Sequence, residues 1–182
     1  MLQHLDEAKQ IDEGAARKAR RSRTGTGLQD KIRRRTDAAV LASNHETRLE
    51  EIADREAVTH RSGKRWKSAK VGVEAHGRLP IYYRLDGKIT HKGYIDRLVL
   101  DPDEDTEGIE EFIEHITDDD TYSDYHDRLD ETTFIVRGGE EIDEPFSQSE
   151  LRKLSTGDPI DEDYSYQPAY VVSRPGDFPE FP

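Results

Sequence analysis

The spacing of hydrophobic residues changes its period partway along the chain. Over residues 46–57, Leu49, Ile52 and Ala53 recur at helical steps with Glu56 and predict a helix with a narrow apolar stripe. Residues 30–42 read as another helix. Neither is apolar enough to be stable alone. From about Trp66 the period becomes two. Val71–Ala75 and Leu79–Leu85 predict strands, and Asp86-Gly87 predicts a type I′ hairpin turn, because both residues tolerate positive φ. Lys88-Ile-Thr90 returns from that turn. Gly93 then marks an expected bulge before a third strand, Tyr94–Leu100, which Asp101-Pro102 ends.

Farther on, Ile109, Phe112, Ile113 and Ile116 fall on one face and predict a helix over 107–116. Residues 118–130 read as an acidic loop. Thr132–Arg137 predicts a strand closed by Gly138-Gly139. Ser147-Gln-Ser-Glu150 is a capping box that predicts a short helix to about Leu154, with Gly157 as its stop. A last strand lies within Tyr166–Ser173, and residues 175–182 are aperiodic. The order β β β α β α β over 66–174 predicts an α+β fold, a small curved sheet or β-barrel with two short helices. The expected organisation is a basic, partly helical or disordered extension over 1–61, a domain over 62–176 and a tail over 177–182.

Charge divides the chain into two halves near residue 92. Residues 1–92 hold 21 Lys and Arg against 13 Asp and Glu, whereas residues 93–182 hold 6 against 27. The front half is suited to a polyanion, and the back half is a solvated, self-repelling surface. Basicity rests on 18 Arg and 9 Lys, and Asn44 is the only asparagine. This composition resembles that of proteins from salt-in halophilic archaea, in which an acidic surface is an adaptation to molar salt. Salt at that level screens charge over roughly 3 Å. Nucleic-acid contacts would then lean on stacking and hydrogen bonds.

The chain has no cysteine, which excludes disulfides, thiolate metal sites and cysteine nucleophiles. No apolar run approaches the roughly 20 residues of a membrane span. Residues 1–12 lack the apolar stretch of a secretory signal, so a cytoplasmic location without membrane contact is expected.

Two basic segments carry the candidate chemistry. The first is an arm of Arg17, Lys18, Arg20, Arg21, Arg23, Arg33, Arg34 and Arg35, suited to phosphates by the bidentate geometry of arginine, or else a solvated tail. The second, residues 61–70, combines Arg61, Lys64, Arg65, Lys67 and Lys70 with the only tryptophan, Trp66. A cationic loop with one aromatic is the local chemistry of single-strand binding, although Trp66 reads equally as a core residue. Tyr82 and Tyr83 point to opposite faces of their strand. One fills the interior, and the other, taken as Tyr83, is a stacking platform or an exposed sheet residue. Lys88 and Lys92 lie near the hairpin and add phosphate contacts. Glu74, Asp86 and Lys88 echo a magnesium-dependent nuclease core. The residues His115, Asp118–Asp120, Asp124, His126 and Asp127 fit no calcium-loop spacing and read as a solvated loop. No phosphate-binding, dinucleotide-binding or serine-nucleophile motif is present.

Leu79-Pro-Ile-Tyr-Tyr, the glycine-led Gly87-Lys-Ile and Gly93-Tyr-Ile, Tyr122-Ser-Asp-Tyr125 before Phe134-Ile-Val136, Pro145–Arg152 and Tyr170–Ser173 together resemble the PUA-like superfamily, nearest its EVE and ASCH branches. The resemblance covers about half of the chain. The ASCH pattern Gly-x-Lys-x-x-Glu-x-Arg is only echoed, at altered spacing, by Lys70, Glu74 and Arg78. The resemblance implies a β-barrel that binds RNA or a modified base in a cleft beside its aromatic residues. The expected function is thus a non-catalytic nucleic-acid-binding module with no metal or cofactor, in which Trp66 and Tyr83 accept a base and the basic residues hold the backbone. The alternatives are a nuclease on Glu74, Asp86 and Lys88, and a regulatory or structural module that docks on another protein.

Overall fold

The structure, a computed structural model, describes residues 27–117 and 131–179. Helix α1 covers residues 27–34. It is followed by β1 (Ala38–Ser43), α2 (Glu46–Asp54), β2 (Ala57–Ser62), α3 (Lys67–His76), β3 (Leu79–Leu85) and β4 (Lys88–Leu100). Then come α4 (Ile109–Glu114), β5 (Thr132–Ser147), a 3₁₀ turn (Gln148–Glu150), β6 (Arg152–Lys153) and β7 (Ala169–Val172). The strands form one mixed seven-stranded sheet in the order β2-β5-β4-β3-β1-β7-β6. The fold is α+β, with four helices among the described residues, two of which, α1 and α2, lie in the stretch expected to be an extension. Arg17, Lys18, Arg20, Arg21, Arg23 and the acidic loop over 118–130 lie outside the described residues.

β1 is the first departure from the sequence expectation. Ala38-Ala-Val-Leu-Ala42 is buried at every position. It pairs parallel with β3, Val40 opposite Ile81 and Ala42 opposite Tyr83, and antiparallel with β7. A strand covered on both faces has no alternation to betray it, and its alanines favour a helical reading. The sheet therefore begins upstream of the boundary expected at residue 62: β1 and β2 belong to it, and α1 packs on it through buried Ile32.

α3 is the second departure. Val71 and Val73 alternate as in a strand, but Ala69 and Gly72 are the residues that face the core, three apart on one side of a helix. The Gly77 backbone N–H caps that helix by donating to the Val73 carbonyl at 2.8 Å. The expected helix after residue 147 is a single 3₁₀ turn, because the chain pairs at once with β7 through Arg152 and Lys153.

The Asp86-Gly87 turn forms as expected, with φ of 52° and 76°. Lys88–Leu100 is one continuous strand, with a register shift at Lys92/Tyr94 around Gly93. β5 does not stop at Gly138-Gly139 but runs to Ser147. Gly139 instead gives passage to α2: a Cβ there would stand 2.4 Å from the Ile52 carbonyl oxygen.

Both faces of the sheet are covered. One carries Val40, Ile81, Tyr83, Ile95 and Phe134 beneath Leu49 and Ile52 of α2 and Ala69 of α3. The other carries Leu41, Tyr82, Ile89 and Phe146 beneath Leu151, Ile160 and Phe178 of the C-terminal segments. Tyr82 and Tyr83 are therefore both buried, and neither is an exposed platform. The Tyr82 hydroxyl donates to Asp177 at 2.6 Å.

Trp66 is a core residue. Its ring stacks on Phe134 at 4.7 Å, its indole N–H donates to Ser62 Oγ at 3.1 Å, and its backbone N–H donates to Thr132 Oγ1 at 3.0 Å. Trp66→Ala is expected to lower the unfolding free energy by about 3–5 kcal/mol in a urea titration. The neighbouring exposed substitution Lys67→Ala should cost less than about 0.5 kcal/mol. Equal losses for the two would contradict the placement.

Candidate ligand pocket

A cavity of about 530 Å³ opens where β1 ends and the chain turns into α2. Ligand pockets generally measure roughly 300–1,000 Å³. Its floor is aromatic, formed by Trp66, Tyr83 and Phe134. Its walls come from Ser43, Asn44, His45 and Arg48 on one side, from Thr59 to Gly63 of β2 and its following turn on another, and from Gln167 before β7. Two arginines, Arg48 and Arg61, line it, and no Asp or Glu does among the described residues. The chain has 40 acidic residues in 182, so a wall of this size without one is a marked departure from its surroundings.

The polar groups are held in fixed orientations. His60 lies between Tyr83 and Phe134, edge-to-face with both, at ring separations of 5.4 and 5.8 Å. Its Nδ1 is 2.6 Å from the Tyr83 hydroxyl and 3.4 Å from Asn44 Nδ2. Burial, then the nearby positive charges of Arg48 and Arg61, pushes the His60 pKa down to about 3. The imidazole is accordingly neutral at ordinary pH. Burial also raises the Tyr83 pKa, so its hydroxyl keeps its proton. Arg48 donates to Thr117 Oγ1 at 2.7 Å and pairs with Glu51 at 3.5 Å.

The far wall is positioned through the opposite face of the sheet. Arg84 is buried and donates from Nη2 to the Tyr166 carbonyl at 2.6 Å and from Nε to Ser43 Oγ at 2.7 Å. Its Nη1 donates to Gln148 Oε1 at 3.2 Å. The Gln148 amide nitrogen in turn faces the carbonyls of Asp161, Glu162 and Tyr164 at 2.6–3.0 Å. These contacts fix residues 161–166 and bring Gln167 to the pocket, where its Oε1 accepts the Ser43 N–H at 2.8 Å. Beside it stands Tyr166, the one large hydrophobic side chain strongly exposed among the described residues, at 70%. Lys64 lies over its ring at 5.2 Å and donates to the Gln167 carbonyl at 3.2 Å.

The residues singled out from the sequence divide accordingly. Arg61, Trp66 and Tyr83 line the cavity, and Lys64 stands beside it. Arg65 pairs with Asp101 at 2.6 Å, and Lys70 approaches Glu74 at 3.9 Å. Lys67 is exposed at the start of α3, and Lys88 is exposed at the hairpin. Lys92 lies on the other face, bonded to the Asp177 carbonyl at 2.5 Å and paired with Glu140. Arg33 and Arg35 pair with Asp30 and Asp37, and Arg34 is exposed. All three sit by the first residue of β1, whereas the pocket lies beyond its last, about 20 Å away along a six-residue strand. Glu74 belongs to the helix entering β3, and Asp86 lies past its far end, so a seven-residue strand keeps the nuclease carboxylates about 20 Å apart. No group of three His, Asp or Glu that could hold a metal occurs among the described residues, and no helix there is long and apolar enough to cross a membrane.

Asn44, His60, Tyr166 and Gln167 escaped the sequence reading. The one available signal was that Asn44 is the chain's only asparagine. No family model, no curated protein and no solved structure matches this chain.

The depressed His60 pKa makes a pH prediction. Between about pH 6.5 and 3 the unfolded chain takes up a proton at this histidine and the folded chain does not, so the folded state loses stability as pH falls through that window. Above about pH 7 the residue contributes no pH dependence. His60→Gln should therefore narrow its stability gap to the wild type as pH is lowered from 7 to 4, measured by urea unfolding. A gap constant with pH would show that His60 is not held neutral.

Proposed function

We propose that the chain is a non-catalytic nucleic-acid-binding module of the PUA-like kind, which takes one base of a single strand, RNA or a modified base, into the cavity at the end of β1. The observation that carries this reading is an arginine-bearing cavity over an aromatic floor, lined by no carboxylate among the described residues, in a chain otherwise dense in acid. A planar, electron-rich heterocycle suits such a site: its faces meet apolar rings and its edges meet hydrogen-bond donors. The exposed Tyr166 with Lys64 over its ring supplies an outer platform, where a neighbouring base stacks and its phosphate meets a cation. The roles assigned from sequence shift accordingly: Trp66 and Tyr83 build the floor, and Arg61, Lys64 and Tyr166 meet the strand.

The nuclease alternative loses its support, because Glu74 and Asp86 stand at opposite ends of β3. No pair of carboxylates converges on the cavity among the described residues.

Fluorescence anisotropy of the full chain against single-stranded RNA, single-stranded DNA and duplex DNA, over potassium chloride up to molar concentration, tests this reading. Saturable binding to a single strand that persists in molar salt is expected. Tyr166→Ala is expected to weaken it by about 1–3 kcal/mol, the usual worth of one stacked base. Because Tyr166 is exposed, that variant should fold. Unchanged affinity would remove the platform from the site, and no binding at any salt would overturn the reading.

A further inference from the structure

The cavity carries positive charge in its lining, not only at its mouth. Arg48 comes from α2 and Arg61 from β2, and both line it. Both also act on the same buried ring: after burial itself, Arg48 and then Arg61 depress the His60 pKa. Glu51 balances part of the Arg48 charge at 3.5 Å but is not among the lining residues. Arg48 bonds Thr117 and Glu51 through the same Nη1. A guanidinium has five N–H donors in a planar fork, so it serves more than one partner at once.

The neighbouring clefts have the opposite sign. A cleft of about 340 Å³ shares Ser43 and Asn44 with the cavity and sets Asp86, Glu162 and Asp163 against Arg84. Another, beside α2, is bordered by Glu46, Glu50, Asp54 and Glu141. Among these three hollows of the described residues, an anion is drawn to the one with arginines and turned away from the others.

A base alone does not match this lining. The cavity measures about 530 Å³. At the roughly 30 Å³ that each water takes up in the liquid, it has room for about 18 water-sized groups, more than one base supplies. A base is also uncharged. Inside a strand each phosphate is a diester with a single charge. A phosphate monoester carries about −1.5 to −2 and three acceptor oxygens, which suits two guanidinium forks. Thr59 Oγ1, whose proton goes to the Phe112 carbonyl, is an acceptor suited to the N–H groups of a base or to a sugar hydroxyl.

Building on the nucleic-acid reading, we propose that the cavity takes the phosphorylated end of a strand, with the terminal base on the aromatic floor and the terminal phosphate held by Arg48 and Arg61. The rest of the strand leaves past Tyr166 and Lys64, where the next base stacks.

The test is competition by unlabelled oligonucleotides against a labelled single strand, read by anisotropy with the full chain in molar potassium chloride. One sequence is compared with a 5′-phosphate, with a 3′-phosphate, with hydroxyls at both ends, and as a closed circle. At least one phosphorylated form is expected to compete about tenfold or more better than the hydroxyl form, the worth of one charge-assisted contact. The circle, which has no end, should compete no better than the hydroxyl form. Arg61→Gln should erase the phosphate advantage. Arg152→Gln, the same change of charge at an exposed position on the edge strand β6, should leave it intact. Equal competition by all four forms overturns this proposal and leaves the nucleic-acid reading standing. So does a phosphate advantage that both variants lose alike, since that marks general attraction rather than a site. Failure of every strand to bind overturns the two together.

Discussion

The parallel pairing of β1 with β3 is the constraint on which the rest depends. It sets Ala42 opposite Tyr83 and Ser43 opposite Arg84, so the chain leaves β1 beside the two side chains that organise the site. On one face Tyr83 reaches His60, and His60 reaches Asn44 just past the strand end. On the other face Arg84 bonds Ser43 and the Tyr166 carbonyl. A slip of one residue in this register would exchange the two faces and dismantle both sets of contacts. The pocket is thus a product of strand register rather than of loop sequence.

Burial on both faces gives these contacts their strength and their cost. His60 and Arg84 are polar groups taken out of water, at 3% exposure each. Arg84 is compensated by neutral acceptors and by the ring of Tyr164 at 5.7 Å. Among the described residues, His60 is compensated on one nitrogen only. That asymmetry, in a wall without a carboxylate among the described residues, separates this cavity from the acid-lined cleft beside His91, which is bordered by Glu46, Glu50, Asp54 and Glu141. In molar salt, where charge is screened over roughly 3 Å, directed donors and stacking surfaces keep their value better than long-range attraction does.

Much of the central sheet was legible in the sequence. Leu79–Leu85, the Asp86-Gly87 turn and Tyr94–Leu100 were readable because strand period and turn chemistry are local properties. β1 was not, because a strand covered on both sides shows no alternation. The extension of β5 past Gly138-Gly139 was hidden because residues 140–145 are mostly exposed and acidic. Of the site, the cluster from Arg61 to Trp66 was visible as charge beside an aromatic, but Trp66 proved to belong to the floor rather than the surface. His60, Asn44 and Gln167 were illegible because their partners are distant in sequence. Gln167 meets Ser43 across 124 positions, and only the finished sheet brings them together.

The most direct test of the account is a map of backbone amide shifts as single-stranded RNA is added to the full chain in molar potassium chloride. The account predicts that the changes concentrate on Asn44, His60, Arg61, Tyr166 and Gln167, the residues around the end of β1. Changes confined to the basic residues before β1, with the pocket amides unmoved, would contradict it.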